Sequence, residues 1–343
     1  MLPPVKEFKT LNNSSSRLLI IAEGFEKRSL AWINSLEDNV LFSDAIICKY
    51  NPVKVSLYEE MLESVKARTQ NHPQIIEYNR FEPTLFEVEV REQILQFGNY
   101  EDIYIDITVM SKLLIMIIMH ELKRVASHVH FIYTEPVSWG PTQEKYYQAM
   151  KDRRQGGAIG LSSIGVGDIV RTPGLSSIVM QNNPAVLIAG LSFNEQIVRI
   201  LVNEINPERL ILINQGCDKD EWREDAIVDI HQAIIDEYAN QPGLVKKYNL
   251  KEYDKVFELL VEIYKKYWLT NRIIISPTGY KMHAISFALL KICCSDVHIE
   301  YPTPDSYLFE DYSSEEILAT YEILFTNYRE ILVHLVETYE LNG

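Results

Sequence analysis

Three stretches of this 343-residue chain return in the same order about 168 positions further on, and that repeat constrains the fold more than any single motif. Leu19-Ile20-Ile21-Ala22 returns as Val186-Leu187-Ile188-Ala189, an offset of 167. Ile103-Tyr104-Ile105-Asp106 with its downstream Lys112 returns as Ile273-Ile274-Ile275-Ser276 with Lys281, at offsets of 170 and 169. Val129-His130-Phe131-Ile132-Tyr133 returns as Val297-His298-Ile299-Glu300-Tyr301 at an offset of 168. A period this long exceeds any solenoid repeat, so the chain reads as two fused copies of one domain-sized module.

Within each copy, short apolar runs alternate with amphipathic stretches. The first half predicts strands at Arg17–Ala22, Asp44–Lys49, Ile75–Tyr78, Asp102–Ile107 and Val129–Tyr133. Helices are expected from Phe25, from Asn51-Pro52 through Arg68, from Pro83 and from Ser111. The second half predicts strands at Ala185–Ala189, Leu210–Asn214, Arg272–Ser276 and Val297–Tyr301, and helices from Phe193, over Asp220–Asn240, over Lys251–Trp268 and from Lys281. Ser313 with Glu316 three residues on fits a capping box for a terminal helix over Ser314–Glu340. The expected class is α/β, two fused Rossmann-like parallel-sheet units related by internal duplication. The expected layout is an N-terminal unit over 1–150, a glycine-rich connector or hairpin insertion over 151–183, and a C-terminal unit with the terminal helix over 184–343. The connector carries Gly156, Gly157, Gly160, Gly165 and Gly167, with a strand expected over Ile164–Val170; it reads as a linker or as a lid.

Composition excludes several classes. The net charge of −15 argues against a broad basic face for duplex DNA or RNA, though not against a small anionic ligand. The longest apolar run, Leu113 to Met119, is too short to span a bilayer. The polar stretch Met1 to Ser16 lacks the apolar core of a signal peptide. Four cysteines show no metal-ligand spacing, so a cytoplasmic protein without a metal or other cofactor is expected.

In an open parallel sheet, ligands bind beyond the C-terminal ends of the strands, where helix N-termini present free N–H groups. Four turns fall there. Glu23-Gly24-Phe25-Glu26-Lys27-Arg28 follows the first strand, and Gly190-Leu191-Ser192 follows its counterpart. Ile107-Thr108-Val109-Met110-Ser111-Lys112 and Pro277-Thr278-Gly279-Tyr280-Lys281 follow the matched later strands. Gly24, Gly190 and Gly279 permit a close backbone approach to a ligand. Thr108, Ser111, Ser192 and Thr278 offer hydroxyls, and Lys112 and Lys281 place ammonium groups at helix starts. Glu26 and Arg28, with Glu23, can hydrogen-bond a ribose or base, and His283 lies two residues beyond Lys281. The same residues also suit ordinary helix caps with a solvated lysine nearby.

Neither the dinucleotide fingerprint nor the P-loop is present, which argues against a dehydrogenase or a P-loop NTPase. His128 and His130 share a strand face without a third metal ligand in sight, and the sequence shows no nucleophile elbow or zinc-helix motif. Catalytic residues are unassigned.

The turns Asp106-Ile107-Thr108-Val109-Met110-Ser111-Lys112 and Ser276-Pro277-Thr278-Gly279-Tyr280-Lys281 resemble the Thr-Gly-Gly-Thr-Lys turn of CARF domains, Rossmann-like sensors of cyclic oligonucleotides in CRISPR systems. Two such units in one chain are similar to the SAVED domain of antiphage signalling. The resemblance implies that Thr108, Ser111, Lys112, Thr278 and Lys281 line a ligand cleft, with Gly24 and Gly190 on the opposite rim. It implies a nucleotide-binding sensor or regulatory subunit of an antiviral defence system, acting through a separate effector protein. The competing expectations are a nucleotide-cleaving enzyme on the same scaffold, with Glu23, Glu26 and His283 as acid and base groups, and a non-catalytic scaffold subunit.

Overall fold

A computed structural model of the chain describes residues 2–37, 40–53, 55–97, 100–154, 161, 163–217, 220–308 and 312–341. The chain divides into two compact units: Met1–Ser138 with Ser313–Glu340, and Trp139–Tyr312 with Leu341–Gly343.

The first unit holds strands β1 (Lys6–Glu7), β2 (Arg17–Ala22), β3 (Asp44–Asn51), β4 (Gln74–Asn79), β5 (Asp102–Asp106) and β6 (His128–Pro136). Its helices are α1 (Ala31–Ser35), α2 (Tyr58–Lys66), α3 (Thr84–Phe97) and α4 (Lys112–Glu121). The second unit opens with α5 (Gln143–Arg154), β7 (Ser163–Ile164) and β8 (Asp168–Val170). There follow β9 (Ala185–Gly190), α6 (Glu195–Ile205), β10 (Arg209–Gly216), α7 (Glu221–Ile230), α8 (Gln232–Glu237) and β11 (Val245–Asn249). It closes with α9 (Tyr253–Tyr267), β12 (Arg272–Ser276), α10 (Lys281–Cys293), β13 (His298–Ile299), β14 (Tyr301–Thr303) and β15 (Ser306–Tyr307). The chain then returns to the first unit as β16 (Ile317–Phe325) and α11 (Tyr328–Thr338).

Both units share one strand order. In the first, β4-β3-β2-β5-β6 run parallel; in the second, β11-β10-β9-β12-β13 do. The strands rank 3-2-1-4-5 in each, the arrangement a duplicated Rossmann-like module requires. β2 and β9 sit centrally and are buried almost throughout, which explains their unbroken apolar runs. Separate cores form on them: Trp32, Phe42 and Tyr104 pack with Leu19 and Ile21 in one, while Leu187, Val198, Leu212 and Ile227 pack together in the other.

The terminal segment corrects the sequence reading. Ser314–Glu340 is not one helix: β16 pairs antiparallel with β6, and β1 pairs with β16, before α11 begins. Tyr321, Ile323 and Phe325 are buried at every second position, a strand period. Two histidines anchor this return. His130 brings Nε2 to 2.7 Å from Asp102 and Nδ1 to 2.7 Å from Glu322, and His128 Nδ1 accepts from the Asn327 N–H at 3.1 Å. They serve packing between β6 and the terminal segment rather than a metal.

Other differences are local. The helix expected over Asp220–Asn240 breaks at His231, whose Nδ1 lies 2.8 Å from the Ile227 carbonyl. β3 runs on to Asn51, and α2 starts only at Tyr58 rather than at Asn51-Pro52. The strand expected over Ile164–Val170 is two short strands, β7 and β8, which pair with β15 and β14 rather than with each other. Gly156, Gly157 and Gly160 lie outside the described residues. Among the described residues no helix is long and apolar enough to cross a membrane.

Candidate functional site

The candidate ligand-binding residues divide evenly between the C-terminal strand edges of the two units. β2 lies between β3 and β5, so the turns leaving β2 and β5 flank the point where strand order reverses. These turns pack on each other: a Cβ on Gly24 would lie 2.9 Å from the Val109 side chain. The second unit repeats this more tightly. A Cβ on Gly190 would lie 2.2 Å from the Gly279 backbone nitrogen, and the Thr278 hydroxyl donates to the Gly190 carbonyl. The three glycines are thus accounted for by contact between neighbouring turns of one unit.

That account predicts an unequal pair of variants. Gly24→Ala meets a side chain that can be shortened, so overpacking by roughly 1–3 kcal/mol should be relieved by adding Val109→Ala. Gly190→Ala meets backbone, so its larger loss should resist any side-chain rescue. Urea unfolding of the single and double variants checks both; equal losses, or no rescue at Gly24, would break the packing account.

Glu26 and Arg28 do not present a ribose-binding pair. Arg28 is buried, and its Nε and Nη2 donate to Glu26 at 2.8 and 3.0 Å while Nη1 donates to the Thr134 carbonyl at 2.8 Å. Glu26 also accepts from the Ser313 hydroxyl. Thr108 is equally committed: its hydroxyl accepts from the Thr134 N–H at 3.0 Å, and its own N–H donates to Asp106 at 2.9 Å. These groups tie the β2 and β5 turns to β6 and the returning chain.

The start of α4 is different. Ser111 is its N-cap, accepting from the Leu114 N–H at 3.2 Å. The Ser111 N–H donates to the Tyr50 hydroxyl at 2.6 Å, and the Ser111 hydroxyl lies 3.3 Å from that of Tyr78. The two tyrosines stand opposite one another on β3 and β4 and meet edge to face at 5.3 Å. Sequence reading missed them; the available signal was an aromatic at matched depth on successive strands. Lys112 is the first residue of α4, half-buried, and among the described residues its ammonium has neither a carboxylate nor a carbonyl partner. Burial pushes it down to about 8. Nearby in the β2 turn, Glu23 is buried and accepts from the Ser56 hydroxyl at 2.6 Å. Burial raises its carboxyl, against the lowering effects of Ser56, the Tyr50 backbone and Lys49.

In the second unit Lys281 is likewise the first residue of its helix, α10. The repeat therefore places both lysines at the same structural position, the one-residue difference being absorbed in the turn. Here, however, the N-cap is Tyr280, whose hydroxyl donates to the Gly216 carbonyl at 3.0 Å instead of capping the helix. Ser192 accepts from the Asn194 N–H at 3.3 Å, and Asn194 in turn caps α6. His283 is buried with Nε2 2.8 Å from the Asn249 carbonyl, and burial pushes it down to about 4. A neutral ring donating Nε2–H to that carbonyl joins α10 to β11.

Among the described residues Glu87, His120 and Glu121 come together with metal-ligand spacing. Arg91 already binds both carboxylates, at 3.2 Å to Glu87 and within 2.9 Å to Glu121 Oε1, and Lys123 lies 2.7 Å from His120 Nε2. Two cations at a three-ligand cluster make it a salt-bridge network rather than a metal centre.

The chain matches no family model and no curated protein. Among solved structures it is similar to a type III CRISPR defence DNA nuclease activated by cyclic oligoadenylate, at a TM-score of 0.46 and 9% identity over 88% of this chain and 67% of that one. It is also similar to a universal stress protein from Archaeoglobus fulgidus DSM 4304 (TM-score 0.22, 10% identity, 84% of this chain and 96% of that one) and to the GsuK channel (0.22, 12%, 84% and 72%). Function therefore rests on the residues of the site.

Proposed function

We propose that this chain binds a nucleotide-type anion through the start of α4, and that it acts as a sensor or regulatory subunit for a separate effector. The observation that carries this reading is the ammonium of Lys112, without a partner among the described residues, at the first position of a helix on the C-terminal strand edge. A buried cation without a counter-charge costs stability, and a phosphate oxygen supplies what is lacking. Helix N–H groups in the same turn add donors of the right sign. Lys281 holds the equivalent first position on α10 in the second unit.

Two of the three groups that the competing enzyme reading needs are engaged elsewhere. Glu26 is held in an ion pair, and His283 is neutral and tied to a backbone carbonyl. Only Glu23, with its raised carboxyl, retains the character of a general acid. Binding without turnover is the reading the geometry favours, and loss of labelled nucleotide on prolonged incubation would reverse that preference.

A thermal-shift panel of mononucleotides, linear dinucleotides and cyclic oligoadenylates, with inorganic phosphate as control, tests the proposal. At a hundredfold excess over Kd a ligand adds about 2.7 kcal/mol, a shift of a few degrees. Lys112→Met together with Lys281→Met should remove that shift while the protein stays folded. No response to any nucleotide, or a response the double variant keeps, would sink the reading.

A further inference from the structure

Two exposed apolar patches with opposite rim charge occur on this chain, one in each unit. The first lies on α3. Leu85 and Leu95 are 75% and 74% exposed, and Val88 is exposed between them. Their spacing puts them on one side of the helix, opposite the buried Phe86, Val90 and Ile94. Glu82, Glu89 and Glu92 surround them, exposed and, among the described residues, without ion-pair partners. Arg91 is also on this helix, but Glu121 and Glu87 already neutralise it.

The second patch lies at the N-terminal strand edge of the other unit, where two turns stand side by side. Ile178 is 82% exposed with Val179 next to it, and Leu269 is 69% exposed on the turn after α9. The Asn183 side chain donates to the Thr270 carbonyl at 3.1 Å and the Arg272 N–H to the Pro184 carbonyl at 3.0 Å, locking one turn to the other. Below Ile178 the backbone is held as well: the Ser177 N–H donates to His298 Nδ1 at 2.9 Å. Lys265 and Lys266 close α9 beside this patch, exposed and without carboxylate partners among the described residues, and Arg209 and Lys266 both lie over the Tyr267 ring. Two acids lie close: Glu208, engaged by the Asn271 side chain at 2.7 Å, and exposed Glu262, one turn before the two lysines on α9.

We propose that the occupant of each patch is the opposite patch on a second copy of this chain. Charge complementarity selects this occupant. Each patch joins three exposed aliphatic side chains to charges mainly of one sign that have no ion-pair partner among the described residues, and the chain carries both signs. Like patches repel, so the contact is heterologous, and a heterologous contact that does not close builds an open series of copies. An anionic membrane is the poorer fit for the basic patch, because the chain's net charge of −15 opposes approach. Small patches make the contact weak and its charged rim sensitive to salt.

Sedimentation velocity of the full chain, taken to high micromolar concentration at low salt, reads this out. The expected result is a weight-average mass that climbs past about twice the monomer and falls back when salt is raised. Leu95→Asp and Ile178→Asp, each on an exposed position, should separately hold the protein monomeric. Their equimolar mixture keeps one intact acidic and one intact basic patch, so it should give dimers that grow no further. A wild-type chain that stays monomeric, variants that associate unchanged, or a mixture without dimers would overturn the proposal. Monomeric protein that sediments with anionic vesicles would assign the basic patch to membrane instead, and overturn it equally. None of these outcomes depends on nucleotide binding.

Discussion

Lys112→Met should make the ligand-free protein more stable while abolishing its stabilisation by nucleotide. The two effects have one cause. Folding moves the ammonium from water to a half-buried position without a counter-charge, which lowers it from the usual lysine value to about 8. Allowing for its residual exposure, that depression corresponds to about 1–3 kcal/mol of lost stability at neutral pH. Methionine retains much of the stem volume and removes the charge. A gain in stability is expected, the reverse of what most substitutions of a partly buried residue do.

The pH dependence follows from the sign of the shift. Below about 8 the lysine is protonated in both states, and the folded protein bears the full cost. From about 8 up to the usual lysine range, about 10.4, the folded state has released its proton and the unfolded state has not, so stability rises with pH. The difference in unfolding free energy between Lys112→Met and wild type should therefore shrink across that window. Bound phosphate supplies the missing counter-charge, so the ligand should hold wild type most strongly below pH 8 and release it above. A difference that is flat from pH 7 to 10 would mean that Lys112 has a partner in solution and is not the anion anchor.

The placement of the two helix-start lysines was legible because the repeat carried it. Lys112 and Lys281 differ by one residue in turn length, yet both begin a helix after a matched strand, as the offsets of 169 and 170 implied. The central strands were legible for a related reason: β2, β5, β9 and β12 are covered on both faces, so their apolar runs are continuous. Edge strands gave no such signal. β11, Val-Lys-Lys-Tyr-Asn, has no fully buried residue and is polar, and its backbone pairing to β10 holds it. β16 was read as helix because Ser313 and Glu316 mimic a capping box; the Ser313 hydroxyl in fact donates to Glu26, 287 residues away. The local signal for the strand was the alternation of Tyr321, Ile323 and Phe325, which the capping-box match outweighed. The glycines carry two readings at once, since a backbone that approaches a neighbouring turn looks in sequence like one that approaches a ligand.

Arg28→Met should be among the most damaging single changes in the first unit, costing about 3–5 kcal/mol, because it strips a buried carboxylate of its guanidinium. Glu26 would remain in a site with the Ser313 hydroxyl, and the Thr134 carbonyl would lose a charged donor. Adding Glu26→Gln should recover a large part of the loss, since the buried charge then disappears with its partner. Glu26 joins the β2 turn to Ser313, and Arg28 joins it to β6, on which β16 is laid. Hydrogen exchange in Arg28→Met should therefore quicken first along β16 and the end of β6. The same variant separates framework from ligand contact. If the pair only secures the fold, nucleotide affinity measured at low temperature, where the variant is folded, should match wild type. Affinity lost at intact structure would instead return Glu26 and Arg28 to the binding surface, and a double variant no more stable than Arg28→Met would show that the cost arises from something other than the stranded charge.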